Sequence, residues 1–323
     1  MRHDPIIVAD VGGTFARLGL AEVQAGLPPR LSGLRQYRCA DYASLAAILA
    51  DFTRAALRPV DTAVVAIAGL LEGDHLVNTN LAWPVSVAAT RAEAGLRSLA
   101  LINDFEAVAY AAAQVDASGV LHLCGPETAA RGPTLVVGPG TGLGAAVWIP
   151  TPHGAVVLAT EAGQPTLATT TELEMAIVRQ MLRDRSHVSV EQALSGPGLM
   201  NLYRALCAIN GQAPTLASPD AITAAAMAGQ DAQARQALEV FCGLLGSTIG
   251  DMALQYGVTG GVYLAGGILP QIREFLLNSS FVERYLNKGP MREALERIPV
   301  KVVEHGQLGV IGAASWYLGR QDA

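Results

Sequence analysis

Charged side chains are scarce in this chain: Asp, Glu, Lys and Arg make up 15% of the 323 residues, and the formal net charge is −6. We find no basic tail or basic run, which argues against nucleic acid or an anionic membrane as the main partner. A small anionic ligand is compatible with this charge, because local backbone dipoles and a metal ion bind such ligands whatever the net charge. Apolar residues make up 51% of the chain, which is typical of a globular protein with a sizeable core.

Cysteine is also rare. The four cysteines, Cys39, Cys124, Cys207 and Cys242, show no CxxC spacing, so neither a zinc site nor a disulfide framework is indicated, and we expect inert thiols in a reducing cytoplasm. The N-terminal apolar run is short and is interrupted by Asp10, so no signal peptide is expected. No stretch of about 18 consecutive apolar residues occurs, so we expect no membrane-spanning helix.

The pattern of apolar residues predicts strands that alternate with helices, which is typical of an α/β protein. Strands are predicted at 6–9, 17–23, 62–68, 99–102, 134–137, 145–149, 261–265 and 300–303. Helical segments are predicted at 45–52, 173–181 and 306–318, and across much of the Ala-rich stretch 190–256. Asp41 is the expected N-cap of the first helix, and Thr171 with Glu174 forms a T-x-x-E capping-box pattern before the second.

An internal repeat is the most informative pattern. Residues 7–14 and 136–142 share one plan, a strand followed by a Gly/Thr-rich turn and a second strand, and they lie about 128 residues apart. Such a turn lets backbone N–H groups approach an anion, because no Cβ blocks the approach. Two of these turns facing each other would clamp a polyphosphate, and Asp10 could hold Mg²⁺. Taken singly, each is more typical of an ordinary hairpin turn, whereas two turns of the same plan favour the clamp.

A dinucleotide-binding fingerprint is imitated by residues 140–145, which read G-x-G-x-x-A, with Glu161 lying 21 residues beyond Gly140. That fingerprint requires a helix next, because the pyrophosphate sits on a helix N-terminus. The following residues, up to Pro150, predict a strand instead, and the P-loop pattern GxxxxGK[ST] does not occur. An NAD-dependent oxidoreductase is therefore disfavoured.

Asn103 and Asp104 follow a predicted strand, where side chains commonly line a ligand site. Transfer of a phosphoryl group to an alcohol needs a base within hydrogen-bond reach of the hydroxyl, and an Asp held by a neighbouring Asn suits that role. The alternative is that Asp104 caps a helix starting at Phe105, and both roles can hold together.

Several short motifs, taken together, resemble a known superfamily. Asp10–Thr14 resembles the phosphate-1 motif of the hexokinase/actin-like ATPases, residues 138–144 resemble their phosphate-2 motif, and residues 264–268 resemble their adenosine motif. The chain is more closely similar to the bacterial glucokinase family, from residue 6 to about 315. The matching segments are Ile102–Phe105, Thr79 and Asn80 with Trp83, Ser195–Leu199, and Asn201–Arg204.

The resemblance implies a two-domain α/β actin-like ATPase (ribonuclease H-like) fold with a cleft between the domains. We expect a small α/β domain at 1–112 plus 306–323 and a large α/β domain at 113–305. The implied activity is ATP-dependent phosphorylation of glucose at its 6-hydroxyl group, with ATP and Mg²⁺ as cofactors. The resemblance further implies a cytoplasmic homodimer that binds glucose or a related hexose, and no nucleic acid or membrane.

The resemblance also implies residue roles. Asp104 would be the general base, and Asp10 would hold the metal. The sugar would be bound by Asn80, Asn103, Asp104, Glu161, Gln164 and Glu191. The nucleotide would be bound by Ala9, Asp10, Val11, Gly12, Gly13 and Thr14, by Gly138, Gly140, Thr141 and Gly142, and by Gly266 and Gly267. Taken singly, Glu161 and Glu191 are more typical of solvated surface residues.

Two departures from the family pattern affect these expectations. The family's Glu-Gly-Gly-His sugar motif reads Glu161-Ala-Gly-Gln164 here, so an amide replaces the imidazole. The segment Ala66–Gly69 also lacks the Pro that often follows this Gly. A kinase for another hexose or amino sugar, such as mannose or glucosamine, is therefore a second hypothesis. A non-catalytic sugar sensor is a third, disfavoured because Asp10, Asp104 and both turns are present.

Overall fold

The computed structural model describes residues 5–24, 27–56, 59–77, 81, 83–112, 119–152, 154–303 and 306–321. The chain divides into two compact units. The first comprises Met1–Asp116, Thr151–Ala159 and His305–Ala323, and the second comprises Ala117–Pro150 and Thr160–Glu304. The sequence predicts domain bounds of 1–112 with 306–323 and of 113–305. These bounds stay a prediction.

The secondary-structure elements alternate along the chain as in other α/β proteins. The described strands are β1 (Ile6–Val11), β2 (Phe15–Glu22), β3 (Arg30–Arg38), β4 (Thr62–Ile67), β5 (Leu70–Glu72), β6 (His75–Val77), β7 (Val85–Ser86), β8 (Ser98–Asn103), β9 (Val120–Cys124), β10 (Thr134–Pro139), β11 (Leu143–Thr151), β12 (Gly154–Thr160), β13 (Val262–Leu264) and β14 (Val300–Val303). The described α-helices are α1 (Leu45–Ala55), α2 (Val87–Glu93), α3 (Asp104–Ala112), α4 (Glu172–Met181), α5 (Gly196–Ile209), α6 (Pro219–Met227), α7 (Ala232–Gln255), α8 (Arg273–Leu277), α9 (Phe281–Leu286), α10 (Arg292–Leu295) and α11 (Leu308–Gln321).

The first unit is built on a five-stranded sheet with the order β3-β2-β1-β4-β8. Strand β1 is antiparallel to β2 and parallel to β4, and β4 is parallel to β8. The strands β1 and β4 are apolar along almost their whole length because both faces of the sheet are covered. On β1, Ile7 and Ala9 join the core that contains α1, whereas Ile6 and Val8 join the core that contains α11.

Helix α1 begins where the sequence predicts it, but its cap is a different residue. The Ser44 hydroxyl accepts the Ala47 N–H at 3.1 Å, whereas Asp41 ends a short 3₁₀ turn that starts at Cys39. The expectation that Asp41 is the N-cap was therefore wrong. The 3₁₀ turn forms because Cys39 is held by the β1–β2 turn, as its N–H donates to the Thr14 carbonyl at 2.9 Å.

The sheet of the second unit contains the same arrangement of three paired strands as the sheet of the first unit. Its strands β11, β10, β13, β14 and β9 are neighbours in that order. The hairpin β10–β11 is antiparallel, and β13 is parallel to β10, as β4 is to β1 in the first unit. The equivalent pairing supports the internal repeat predicted from the two Gly/Thr-rich turns. Strand β12 follows β11 along the chain, and all of it but Thr160 is assigned to the first unit.

Helices α4 to α7 supply half of the buried apolar residues in the core of the second unit. The capping box predicted at α4 is confirmed, with Thr171 and Glu174 bonded reciprocally. Among the described helices, α7 is long and apolar enough to cross a membrane by length and composition alone, but 83% of its most apolar window is buried inside the protein. Burial of this kind is typical of a core helix.

Candidate active site

The first Gly/Thr turn joins β1 to β2 and exposes a short stretch of backbone. Within this part of the described chain, the Gly12 N–H donates to the Phe15 carbonyl at 3.0 Å, and the N–H groups of Gly13 and Thr14 have no acceptor. The Cys39 thiol donates to the Gly12 carbonyl at 3.3 Å and thereby holds the turn in place. The turn therefore presents two consecutive N–H donors, an arrangement that suits an anion.

Asp10 lies in β1 just before this turn and is placed by two neighbours. Arg17 is its cross-strand partner in β2, and Arg17 Nη1 lies 3.8 Å from Asp10 Oδ2. Gly309, at the start of α11, packs so closely that a Cβ there would lie 2.6 Å from Asp10 Cγ. Burial raises the pKa of the Asp10 carboxyl above its ordinary value, and the Arg17 charge only partly opposes this.

A divalent cation fits Asp10 because it would favour the ionised form of a carboxylate that burial disfavours. In the part of the chain that the structure describes, no group of three His, Cys, Asp or Glu side chains could hold a metal ion. A single carboxylate is nevertheless typical of Mg²⁺ sites in which phosphate oxygens and water complete the coordination. The site therefore suits a cation that arrives with a polyphosphate.

The second Gly/Thr turn joins β10 to β11. It is closed by the Gly140 N–H, which donates to the Gly142 carbonyl at 2.7 Å. No acceptor among the described residues reaches the N–H groups of Thr141 and Gly142. The Gly140 carbonyl accepts the N–H of Gly196 at 2.8 Å, at the start of α5. Like the first turn, this one leaves two neighbouring N–H donors without an acceptor among the described residues.

Gly266 lies two residues beyond the end of β13 and packs against Pro139, just before the second turn. Its φ is +135°, and an added Cβ would lie 2.4 Å from the Pro139 carbonyl oxygen. Any residue other than glycine is therefore strained and sterically excluded here. Gly267 has open space in place of a side chain, which leaves room for a flat ligand against the backbone.

Three of the expected sugar-binding residues come together in the second unit. The N–H of Gln164 donates to the Glu161 carbonyl at 3.0 Å, and the N–H of Glu191 donates to the Gly163 carbonyl at 2.8 Å. Gly163 is buried against the second turn, where a Cβ would lie 2.6 Å from the Leu143 carbonyl oxygen. The structure thus places Glu161, Gln164 and Glu191 beside the Gly140–Leu143 turn.

Asn103 and Asp104 lie in the first unit, at the carboxyl end of β8. The Asn103 Oδ1 accepts the N–H groups of Phe105 and Glu106 at 2.9 and 3.1 Å, and Asp104 Oδ1 lies 2.9 Å from the Phe105 N–H. Helix α3 therefore starts at Asp104 and is capped mainly by Asn103. This corrects the alternative in which Asp104 caps a helix starting at Phe105.

The predicted site residues divide between the two units. The first unit contains 9–14, 103 and 104, and the second contains 138–142, 161, 164, 191, 266 and 267. Asn80 lies outside the described residues, so its predicted role stays a prediction. The sequence analysis missed three supporting residues: Arg17, Cys39 and Gly309. Only Arg17 left a usable signal, since a hairpin centred on the first turn pairs it with Asp10.

Comparison with known proteins gives consistent matches over the whole chain. A model of the Glucokinase family matches residues 7–320. A glucokinase-like protein of Xylella fastidiosa is 55% identical over 320 residues, covering 98% of this chain and 95% of that protein. A glucokinase of Nitrobacter hamburgensis is 38% identical, covering 96% of each chain. The crystal structure of a glucokinase from an Antarctic psychrotroph matches with a TM-score of 0.86 and 34% identity, covering 97% of this chain and 98% of that one.

Proposed function

The chain belongs to the glucokinase family, and we propose that it transfers the γ-phosphoryl group of ATP to the 6-hydroxyl group of glucose. The fold class expected from the sequence, the actin-like ATPase fold of these sugar kinases, is confirmed. The roles that we propose for individual residues rest on the geometry within each unit.

Asp104 supports this function most directly. It is a half-buried carboxylate that follows strand β8, at the edge of a parallel sheet where ligands bind in such folds. We propose that Asp104 accepts the proton of the sugar 6-hydroxyl as that oxygen bonds to the γ-phosphorus, while ADP leaves with the electron pair of the broken P–O bond. The Asn103 cap holds the start of α3 and thereby keeps Asp104 in place.

The exposed N–H donors of the two turns suit the phosphates of ATP. Gly13 and Thr14 in one unit, and Thr141 and Gly142 in the other, each offer a consecutive pair of donors. Hydrogen bonds from backbone N–H groups to phosphate oxygens are charge-assisted and need no rearrangement of the turns. We propose that Gly266 and Gly267 face the adenosine. Mg²⁺ would be held by Asp10, directly or through water, and would neutralise charge on the phosphate oxygens.

Glu161, Gln164 and Glu191 offer acceptors and donors for the remaining sugar hydroxyls. Carboxylates suit this task because charged acceptors strengthen hydrogen bonds from hydroxyl groups. Gln164 favours a second candidate function, phosphorylation of another hexose or an amino sugar, because an amide stands where the family pattern has His. An amide still offers an acceptor and two donors, so it does not by itself exclude glucose.

We also propose that the enzyme is a cytoplasmic homodimer that acts on neither nucleic acid nor membranes. The resemblance to the bacterial family supports the assembly and the location, and the net charge of −6 argues against nucleic acid or an anionic membrane as partner. Light scattering at assay concentration checks the assembly, because a dimer has twice the monomer mass and a monomer contradicts the proposal.

A coupled assay of ADP release over a panel of sugars tests the function. Glucose should give the highest kcat/KM, with mannose and glucosamine below it, whereas a reversed order would favour the second candidate. Asp104→Asn should lower kcat by about 10²–10⁴, because a general base contributes that much, while glucose binding stays measurable by calorimetry.

The matched control is Asp61→Asn. Asp61 precedes β4 at the amino end of the same parallel strands and pairs with Arg97 at 2.8 Å on the surface. Its removal should leave kcat unchanged within about twofold. Near-normal turnover by Asp104→Asn would exclude Asp104 as the base. No ADP release with any sugar would favour a sensor without catalytic activity.

A further inference from the structure

Glu191 is more than a surface carboxylate beside the sugar-binding residues. Its Oε2 accepts the backbone N–H of Leu143 at 2.8 Å, across 48 residues of sequence. Leu143 is the residue that ends the second Gly/Thr turn and starts β11. The side chain of Glu191 therefore reaches into the turn whose N–H donors we assign to ATP.

Two glycines make room for this carboxylate. A Cβ at Gly142 would lie 2.4 Å from Glu191 Oε2, and a Cβ at Gly163 would lie 3.4 Å from the same oxygen and 2.6 Å from the Leu143 carbonyl. A side chain at Gly142 would therefore displace the carboxylate from the Leu143 N–H. The Glu191 carboxylate fills the space left by the missing side chains of Gly142 and Gly163.

The backbone of Glu191 is equally well fixed. Its N–H donates to the Gly163 carbonyl at 2.8 Å, which ties it to the loop that carries Glu161 and Gln164. Its carbonyl accepts the Ser195 hydroxyl at 2.8 Å, and Ser195 also caps α5. Three neighbours thus define where the carboxylate points, so its bond to Leu143 can hold the turn.

We propose that Glu191 is a positioning residue for the nucleotide turn and that it couples sugar binding to nucleotide binding. One carboxylate oxygen holds Leu143 and so directs the adjacent N–H groups of Thr141 and Gly142 toward the phosphates. The other oxygen binds a sugar hydroxyl. Sugar bound there restrains the same carboxylate, so each ligand strengthens the binding of the other by the same factor. This inference rests on the proposed function.

Calorimetric titration of the full-length protein separates the two effects. AMP-PNP with Mg²⁺ is titrated with and without saturating glucose, and glucose is titrated alone. The variants are Glu191→Gln, which keeps an oxygen within reach of Leu143 but loses the charge, and Glu191→Asp, which keeps the charge but is too short. Glu161→Gln is the matched control, because it changes a neighbouring carboxylate whose side chain makes no hydrogen bond to the turn in the described chain.

In the wild type, glucose should tighten AMP-PNP binding several-fold. Glu191→Asp should weaken AMP-PNP about tenfold without sugar, as expected for loss of a hydrogen bond to a charged acceptor, and glucose should no longer tighten it. Glu191→Gln should stay within about threefold of the wild type for AMP-PNP alone, since its amide oxygen still accepts the N–H. Glu161→Gln should lose glucose affinity and leave AMP-PNP affinity in the sugar-free protein unchanged.

The inference is wrong if Glu191→Asp weakens glucose binding alone, as a pure sugar ligand would. It is also wrong if Glu191→Gln binds AMP-PNP more tightly than the wild type, because the carboxylate would then act mainly by repelling phosphate. Failure of the proposed function looks different: the wild type would release no ADP with any sugar, although the AMP-PNP titrations could still be read. Thermal melting of each variant checks that it is folded.

Discussion

The contact between α11 and α3 provides a test of how the first unit holds Asp104, the proposed general base. Gly312 of α11 packs on the backbone of Ala107, and a Cβ at Gly312 would lie 1.8 Å from the Ala107 carbonyl oxygen. One turn before Ala107, α3 begins with Asp104. The indole N–H of Trp316 further joins the helices by donating to Glu106 Oε1 at 2.9 Å. Gly312→Ala should therefore force the helices apart.

The expected size of this effect follows from two opposing terms. Replacing Gly by Ala in a helix is worth about 1 kcal/mol in favour of folding. Restoring an ordinary contact distance requires a displacement of about 1.5 Å, and overpacking of this kind costs about 1–3 kcal/mol or somewhat more. The cost lies at the upper end here, because the atom that is met belongs to backbone. We expect a net loss of about 2 kcal/mol, which lowers Tm by about 4–8 °C.

Activity should fall with stability. A displacement of about 1 Å at a reacting group can reduce the rate about 10²-fold, and Asp104 moves with the first turn of α3. Gly319→Ala is the matched control in the same helix, because its added Cβ would meet only Tyr110 Cε1 at an ordinary 3.9 Å. Differential scanning calorimetry and steady-state kinetics measure both variants. If Gly312→Ala melts at or above the wild-type Tm and keeps its kcat, the close contact does not position α3.

Two further predictions concern the second unit. Gln164→His should lower the KM for glucose about tenfold and change kcat little, because a ring loses less rotamer freedom on binding than a Gln side chain; an unchanged KM in steady-state kinetics would show that this position does not substitute for His. Burial raises the pKa of Glu174, but hydrogen bonds from Arg284 and from the N–H groups of Thr170 and Thr171 more than offset this and leave the pKa below its ordinary value. The stability from this carboxylate is thus complete above about pH 4.5 and is lost as the pH falls through the lower folded pKa. Glu174→Gln should destabilise the protein by about 3 kcal/mol at pH 7, since the mostly buried Arg284 loses its carboxylate partner, and should reduce the protein's sensitivity to acid. Urea midpoints at pH 7 and about pH 3.5 that differ as much as in the wild type would contradict this.

Local patterns in the sequence predicted the elements that depend on local interactions. The Gly/Thr turns follow from residues that are adjacent in the chain, and so does the capping box at Thr171 and Glu174. The start of α3 was placed within one residue, because a strand followed by Asn-Asp is itself a helix-start signal. The N-cap of α1 was misassigned for a tertiary reason, namely the bonds that Cys39 makes to the turn at residues 12–14.

The strands that the sequence did not predict are those with few buried side chains. Strand β3 is exposed along most of its length and pairs only with β2 at the edge of its sheet. The hydrogen bonds that hold β3 in the sheet are made by backbone groups and do not depend on its side chains. Because few of those side chains are buried, the sequence shows no alternation of apolar and polar residues there. Strand β12 is similar, with Val156 and Leu158 exposed.

The two candidate sugar carboxylates show why the rest of the site could not be predicted. Glu161 and Glu191 are equivalent as isolated residues in the sequence, and each is typical of a solvated surface. The structure distinguishes them, because only Glu191 bonds the Leu143 N–H, and that pairing joins segments 48 residues apart without any local signal. Gly142 and Gly163, by contrast, could be recognised in the sequence as motif glycines. The contacts that require glycine at these positions could not be predicted. Their missing side chains leave the space that the Glu191 carboxylate and the Leu143 carbonyl occupy. A substitution at either glycine should therefore disturb the Gly140–Leu143 turn, the proposed phosphate site, more than it disturbs the fold.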